Sequence, residues 1–283
     1  ILKFITIAGV AAAGVVVAAG GAQAQVVNAD VGVNPTYEQT AGGVSSTGGF
    51  FSARAFETSS ADYSGGTLTF GGAGSPEPLS YIPSDVALEF SDSNASFSSL
   101  QTLYPAGDYE FDLASGGQPA TSIGIDYVGG AYSNVPYITN FSALQGLNAS
   151  QSFTVDLNPY VPGSVATASS IYFSITNSSG TQVYGTDALS DATTSITIPG
   201  GTLTAGGSYT FDLLFDNRIS GSDYINGYPV TQFYDTHTDG SFSTAAGAVP
   251  EPSTWAMLLI GFGAIGYAGY RSAQKKTAAA ITG

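Results

Sequence analysis

Between Val26 and Ala248 the apolar residues recur at every second position, with no sustained spacing of three or four. Val86, Leu88 and Phe90 alternate with polar or small residues, and so do Ile123, Ile125 and Tyr127. Phe153, Val155 and Leu157 repeat the pattern, as do Ile171, Phe173 and Ile175. A strand sends successive side chains to opposite faces, so each set predicts a strand with one apolar face turned to a core. Gly, Asn, Asp and Ser gather between the runs, where turns are required. Asn226-Gly227 is a hairpin signal, because tight hairpin turns favour residues that tolerate positive φ. The pattern predicts an all-β body.

A local repeat divides that body. Leu103-Tyr104-Pro105-Ala106-Gly107-Asp108-Tyr109-Glu110-Phe111-Asp112-Leu113 aligns with Leu203-Thr204-Ala205-Gly206-Gly207-Ser208-Tyr209-Thr210-Phe211-Asp212-Leu213, at an offset of 100 residues. That is about the length of one immunoglobulin-like sandwich. In both copies a Leu stands six residues before a Tyr, and the Tyr opens an alternating run. The arrangement resembles the tyrosine corner of fibronectin type III and related Greek-key sandwiches, in which the hydroxyl bonds back to the backbone just upstream. The resemblance implies two such sandwiches, at residues 25–130 and 131–248, with Tyr109 and Tyr209 opening the sixth strand of each. The stretch from Pro136 through Asn140 to Arg218, with its Pro-Tyr-x-Thr-Asn start and Ile198-Pro199-Gly200-Gly201-Thr202-Leu203 corner, also resembles a repeat seen in PEP-CTERM proteins. One jelly roll is the alternative architecture, since β domains of this total length exist.

The two ends differ from the body. Residues 1–24 run from Lys3 through an Ala/Gly/Val-rich stretch to Ala22-Gln23-Ala24. A short charged start, an apolar core and a small-x-small box predict a signal peptide cut between Ala24 and Gln25, and export through the Sec translocon. At the other end Val249-Pro250-Glu251-Pro252-Ser253-Thr254-Trp255-Ala256 precedes an apolar run over 255–270. Pro250 and Pro252 disfavour a helix upstream. The run predicts a membrane helix roughly 24 Å long, just short of a ~30 Å hydrocarbon core. Arg271, Lys275 and Lys276 follow, where basic residues stay cytoplasmic, and Trp255 suits the interface.

These three ordered parts, spanning 249–276 with a tail at 277–283, resemble the PEP-CTERM sorting signal in its variant with Trp-Ala after Pro-Glu-Pro. The matching residues are Pro250, Glu251, Pro252, Trp255, Ala256 and the basic Arg271. The resemblance implies a Gram-negative host with an exopolysaccharide system, transient inner-membrane insertion and recognition by an exosortase, a membrane cysteine transpeptidase-like enzyme. Gly261-Phe262-Gly263-Ala264-Ile265-Gly266 has the spacing of a dinucleotide loop, but no strand precedes it, and small residues in a membrane helix explain it.

Composition narrows the chemistry. There is no Cys, which removes disulfides and thiolate metal sites. The chain carries 21 acidic against 6 basic residues, and only Arg54 and Arg218 of the six lie in the body. Such an acidic surface repels phosphate backbones, so no nucleic-acid partner is expected. His237 is the one His, and no Gly-x-Ser-x-Gly elbow occurs, so no catalytic triad is expected. Zinc lacks its usual ligands. Calcium is the cation left open. Asp235, Asp239 and Gly240 occupy three positions of a calcium loop, but Ala246 stands where the closing Glu belongs. Asp216, Asn217 and Asp223 form a second weak oxygen-rich candidate.

The expectation is a non-enzymatic exported protein of the outer surface or of an exopolysaccharide and biofilm matrix, without a cofactor. A lectin-like carbohydrate-binding module, assisted by calcium, is the alternative. A glycan-active enzyme would need two carboxylates about 5–10 Å apart across a cleft.

Overall fold

A computed structural model of the chain describes residue 26, residues 28–246 and residues 256–267. The described body is all-β, as the period-2 pattern predicts. Its first half contains β1 (Asn28–Thr40), β2 (Gly43–Phe56), β3 (Tyr63–Phe70), β4 (Glu77–Ile82), β5 (Ala87–Asn94), the short helix α1 (Phe97–Leu103), β6 (Gly107–Ser115) and β7 (Thr121–Tyr127). These strands are hydrogen-bonded in the order β1-β2-β5-β4-β3-β6-β7, with every pair antiparallel. Three strands separate β2 from β6 along that ladder, yet Phe51 of β2 lies 5.9 Å from Tyr109 of β6, ring to ring. The ladder therefore turns a corner at β4–β5, and β1-β2-β5 packs face to face on β4-β3-β6-β7. That is a fibronectin-III-like Greek-key sandwich.

The second half holds the helix α2 (Phe141–Leu144), β8 (Phe153–Asp156), β9 (Ala168–Asn177), β10 (Gln182–Gly185), β11 (Ser195–Ile198), β12 (Ser208–Ser222), β13 (Pro229–Phe233) and β14 (Thr236–Ser243). β8 and β11 form a small sheet, extended by a bridge between Ile138 and Leu157. β10-β9-β12-β14 forms the facing one. Val155, Ile196 and Ile198 of the small sheet share a core with Phe173, Phe211 and Phe215 of the larger.

The two halves are joined by strands. β1 pairs in parallel with β13 over Ala29–Gly32 and Val230–Phe233, then with β14 over Thr36–Gln39 and His237–Gly240. This joins all seven strands of the first sandwich and the larger sheet of the second, with β13, into one ladder of twelve strands. Val230 and Tyr234, late in the chain, are buried in the first core. Gln39 ties the halves again: its side-chain amide donates to the Ile138 carbonyl at 2.7 Å and its oxygen accepts from the Ile138 N–H at 2.9 Å. Gly32 permits the closest approach, because a Cβ there would collide with the Phe233 carbonyl.

The edge of the first sandwich is covered as well. The β12–β13 loop lays Tyr224 over Gly124 of β7, and Asn226 donates to the Ser122 carbonyl at 2.6 Å. Gln232 donates to the Asp126 carbonyl at 2.8 Å. An exposed edge strand invites pairing with other chains, and this loop blunts it.

Residues 256–267 form a third helix, α3. At 1.5 Å per residue it is about 18 Å long, and no helix of the described residues is long and apolar enough to cross a membrane. The longer run expected over 255–270 extends beyond the described residues at both ends.

Candidate functional site

The seam between the sandwiches gathers the two body arginines. Asp30 on β1 and Arg54 on β2 stand opposite each other in register, and β13 pairs along the other edge of β1. Arg54 donates from Nε to Oδ1 at 3.1 Å and from Nη2 to Oδ2 at 2.9 Å, and approaches Asp85 at 3.8 Å. Burial of Asp30 outweighs the attraction of Arg54 and lifts its carboxyl to about 6. On β12, Arg218 and Asp216 are two residues apart and so share a face. Nε of Arg218 donates to both Asp216 oxygens, at 3.0 and 2.7 Å. The Phe233 ring lies between the two guanidinium groups, 4.9 Å from Arg218 and 6.0 Å from Arg54.

Asp235 closes this cluster. Burial first, and the neighbouring Asp216 second, raise its carboxyl well above the usual range. Two residues further on, in β14, Nδ1 of His237 lies 3.3 Å from Oδ1 of Asp212. Burial opposes its charge, but Asp212, with Asp235 and Asp239, overcomes that cost and raises the imidazolium to about 9. The seam chemistry is thus pairing: each arginine has a carboxylate.

The calcium candidates fall within this arrangement. Asp235 faces Asp216, while Asp239 sits in register between Glu38 of β1 and Asp212 of β12. Among the described residues, no three His, Cys, Asp or Glu side chains are grouped so as to hold a metal ion. The second oxygen-rich candidate is split up by its own hydrogen bonds. Asn217 accepts from the Tyr160 hydroxyl at 2.7 Å and from the Gly163 N–H at 3.1 Å. Asp223 accepts the backbone N–H groups of Ile225, Asn226 and Tyr228, which folds the β12–β13 loop.

Both repeat tyrosines reach back to the chain just before their strands. The Tyr109 hydroxyl donates to the Pro105 carbonyl at 2.9 Å. The Tyr209 hydroxyl accepts from the Thr204 N–H at 2.7 Å. A shallow groove of about 380 Å³ lies beside Tyr209 and Phe242, rimmed by Gln145, Asn177, Ser178 and Ser208. Its two rings are stacked on each other and buried, so neither offers an open face to a sugar.

Of the sorting residues, Ala256 opens α3 and is exposed. Pro250, Glu251, Pro252, Trp255 and Arg271 lie outside the described residues, as do Ala22, Ala24 and Gln25. The seam itself left one trace in the sequence, two lone arginines in an acidic body. Gln39 and Gln232, which stitch the halves together, left none.

Residues 248–272 match the model of the PEP-CTERM protein-sorting motif. A comparison with curated proteins found no match. Among solved structures, the chain is similar to the chicken CNTN1 FN1-FN3 domains at 12% identity, with a TM-score of 0.24 over 78% of this chain and 68% of that one. It is similar to a structure concerned with host cell surface retention of a 1.5-MDa bacterial ice-binding adhesin at 16% identity, with a TM-score of 0.22 over 80% and 67%. The BSP domain of a biofilm associated protein follows at 14% identity and 0.21, over 71% of this chain and 28% of that one. At scores this low the fold rests on its own strand order.

Proposed function

We propose that this chain, which carries a PEP-CTERM sorting motif and is by that motif an exported exosortase substrate, serves as a structural component of the cell surface or of an exopolysaccharide matrix. The observation that carries the reading is the position of the motif. It begins at residue 248, directly after a body whose last strand ends at Ser243. The body supports a mechanical role. Its halves share a continuous ladder, its outer edge is covered, and its arginines are consumed in holding the seam. A rigid unit of this kind can be displayed on a surface without disulfides, which the sequence does not offer.

In this reading the signal peptide brings the chain to the Sec translocon, the apolar run holds it briefly in the inner membrane, and the exosortase cuts near Pro250. The body then associates with exopolysaccharide outside the cell. Fractionation with mass spectrometry of both termini tests the route. Mature protein found outside the cytoplasm, starting at Gln25 and ending near Pro250, is the expected result. Intact termini on a cytoplasmic protein would overturn it. Deletion of the gene is expected to alter matrix texture without loss of a soluble activity, and turnover of a polysaccharide by the purified protein would contradict the structural role.

A further inference from the structure

One pole of the second sandwich carries no charge. It is built from the loops at 145–152, 178–181 and 199–207 and the exit at 244–246. None of these loops contains Asp, Glu, Lys or Arg, in a chain of net charge −15. The surrounding strand ends are also neutral. Charge resumes at Asp156 on β8, Asp212 on β12 and Asp239 on β14. At about 3.3 Å per residue these lie roughly 10 Å or more from the pole. That is about one Debye length at physiological ionic strength. The acidic side chains are therefore kept back from this end.

The C-terminal segment leaves from the same end. The Ala245 N–H donates to the Leu147 carbonyl at 2.9 Å, and the Ala245 carbonyl accepts from the Gly206 N–H at 2.8 Å. The Thr244 hydroxyl donates to the Thr204 carbonyl at 2.6 Å. The body thus holds its chain up to Ala245. Five further residues reach Pro250 and ten reach Trp255, which even fully extended span no more than ~18 and ~36 Å. Within the second sandwich β12 pairs with β9 over ten residues, Tyr209–Arg218, about 33 Å. The pole is thus the part of the body from which the apolar run departs, on a tether no longer than about the length of the sandwich itself.

We infer that the uncharged pole is the face the protein sets against an anionic phospholipid surface while the sorting segment is membrane-inserted. The pole presents hydroxyls, amides and backbone groups, such as Asn148, Ser150, Ser178 and Ser208, that can hydrogen-bond headgroups without charge repulsion. The carboxylates along the strands stay beyond screening range. An acidic body on a short tether would otherwise be pushed off an anionic surface. The inference rests on the reading that the chain passes through a membrane-inserted stage.

The absence of cysteine makes the test clean. The full chain carrying Ser178→Cys at the pole, or Ala188→Cys beyond β10 at the opposite end, is labelled with a small fluorophore. It is then reconstituted into phosphatidylglycerol vesicles containing a nitroxide headgroup lipid. Both positions are exposed, so the substitutions leave the fold intact. The label at 178 is expected to lose most of its fluorescence and the label at 188 to keep it. Adding Asn148→Asp and Ser179→Asp to the Ser178→Cys chain is expected to restore the signal. Equal quenching at both positions, or quenching indifferent to the added carboxylates, would overturn the orientation while leaving membrane insertion intact. A chain that fails to float with vesicles would overturn insertion, and this inference with it.

Discussion

Arg54 and Asp30 face each other across the β1–β2 ladder, joined by two hydrogen bonds at 3.1 and 2.9 Å, with the Asp30 side chain only 2% exposed and that of Arg54 25%. The pair lies where the two sandwiches merge, beneath Phe233 of the other half. Removing the cation would strand a carboxylate in a buried seam. Arg54→Met is therefore expected to destabilise the protein by about 3 kcal/mol, because breaking one partner of a buried pair costs more than replacing both. The double variant Asp30→Asn with Arg54→Met is expected to lose clearly less than the two single losses combined. Urea denaturation of the four proteins measures the coupling, and simple additivity would show that the pair does not act as a unit.

Stability should fall as pH rises, in two stages. Asp30 and Asp239 are both lifted in the fold to about 6 from an ordinary 3.8, and burial raises Asp235 as well. The folded state then holds protons that the unfolded state has released, so stability drops between those values as pH climbs. His237, raised to about 9 from 6.5, adds stability that is complete below 6.5 and lost as pH passes through 9. Thermal unfolding at intervals from pH 4 to 9 checks this. A melting temperature that climbed over that range would contradict the proton inventory of the seam.

Much of the fold was legible because burial enforces the period of two. Ile123, Ile125 and Tyr127 are all buried in β7, and Ile171, Phe173 and Ile175 in β9. Val86 departs from its alternating set. It precedes β5 with φ of 51°, in the turn where its carbonyl accepts from the Glu57 N–H. Alternation cannot see a backbone that bends between two apolar positions. The merger of the sandwiches was equally hidden, since a parallel ladder between β1 and β13 joins residues some two hundred positions apart through backbone groups every residue has. Asp216 and Asp235 read as calcium candidates for the same reason: the register that sets them beside each other on β12 and before β14 is not visible in spacing, which reveals only Arg218, two residues after Asp216 on the same strand.

The two repeat tyrosines should differ in weight. The Tyr209 hydroxyl takes up the Thr204 N–H, while that of Tyr109 gives a hydrogen bond to a carbonyl. A donor left without a partner is tolerated less well than a carbonyl with a second lone pair. Tyr209→Phe is expected to cost about 2 kcal/mol and Tyr109→Phe about 1 kcal/mol. Equilibrium unfolding of both variants provides the comparison. Equal losses would mean that ring packing, which both variants retain, sets the contribution of these residues.

Asp239 carries the last expectation, because its position separates repulsion from ion binding. It lies in register between Glu38 and Asp212, three acidic residues side by side on adjacent strands. Its carboxyl is lifted to about 6 by partial burial and by those two neighbours, against the pull of His237. Like charges directly opposite on neighbouring strands are unfavourable, so Asp239→Asn is expected to stabilise the protein above pH 6 by about 0.5 kcal/mol, solvent exposure of the row keeping the gain small. Below 3.8 the carboxyl is neutral in both states and the gain should vanish. A calcium ion held by the row would reverse the outcome. Wild-type protein would then lose melting temperature on adding EDTA, Asp239→Asn would be the less stable of the two with calcium present, and only the wild type would respond to the chelator.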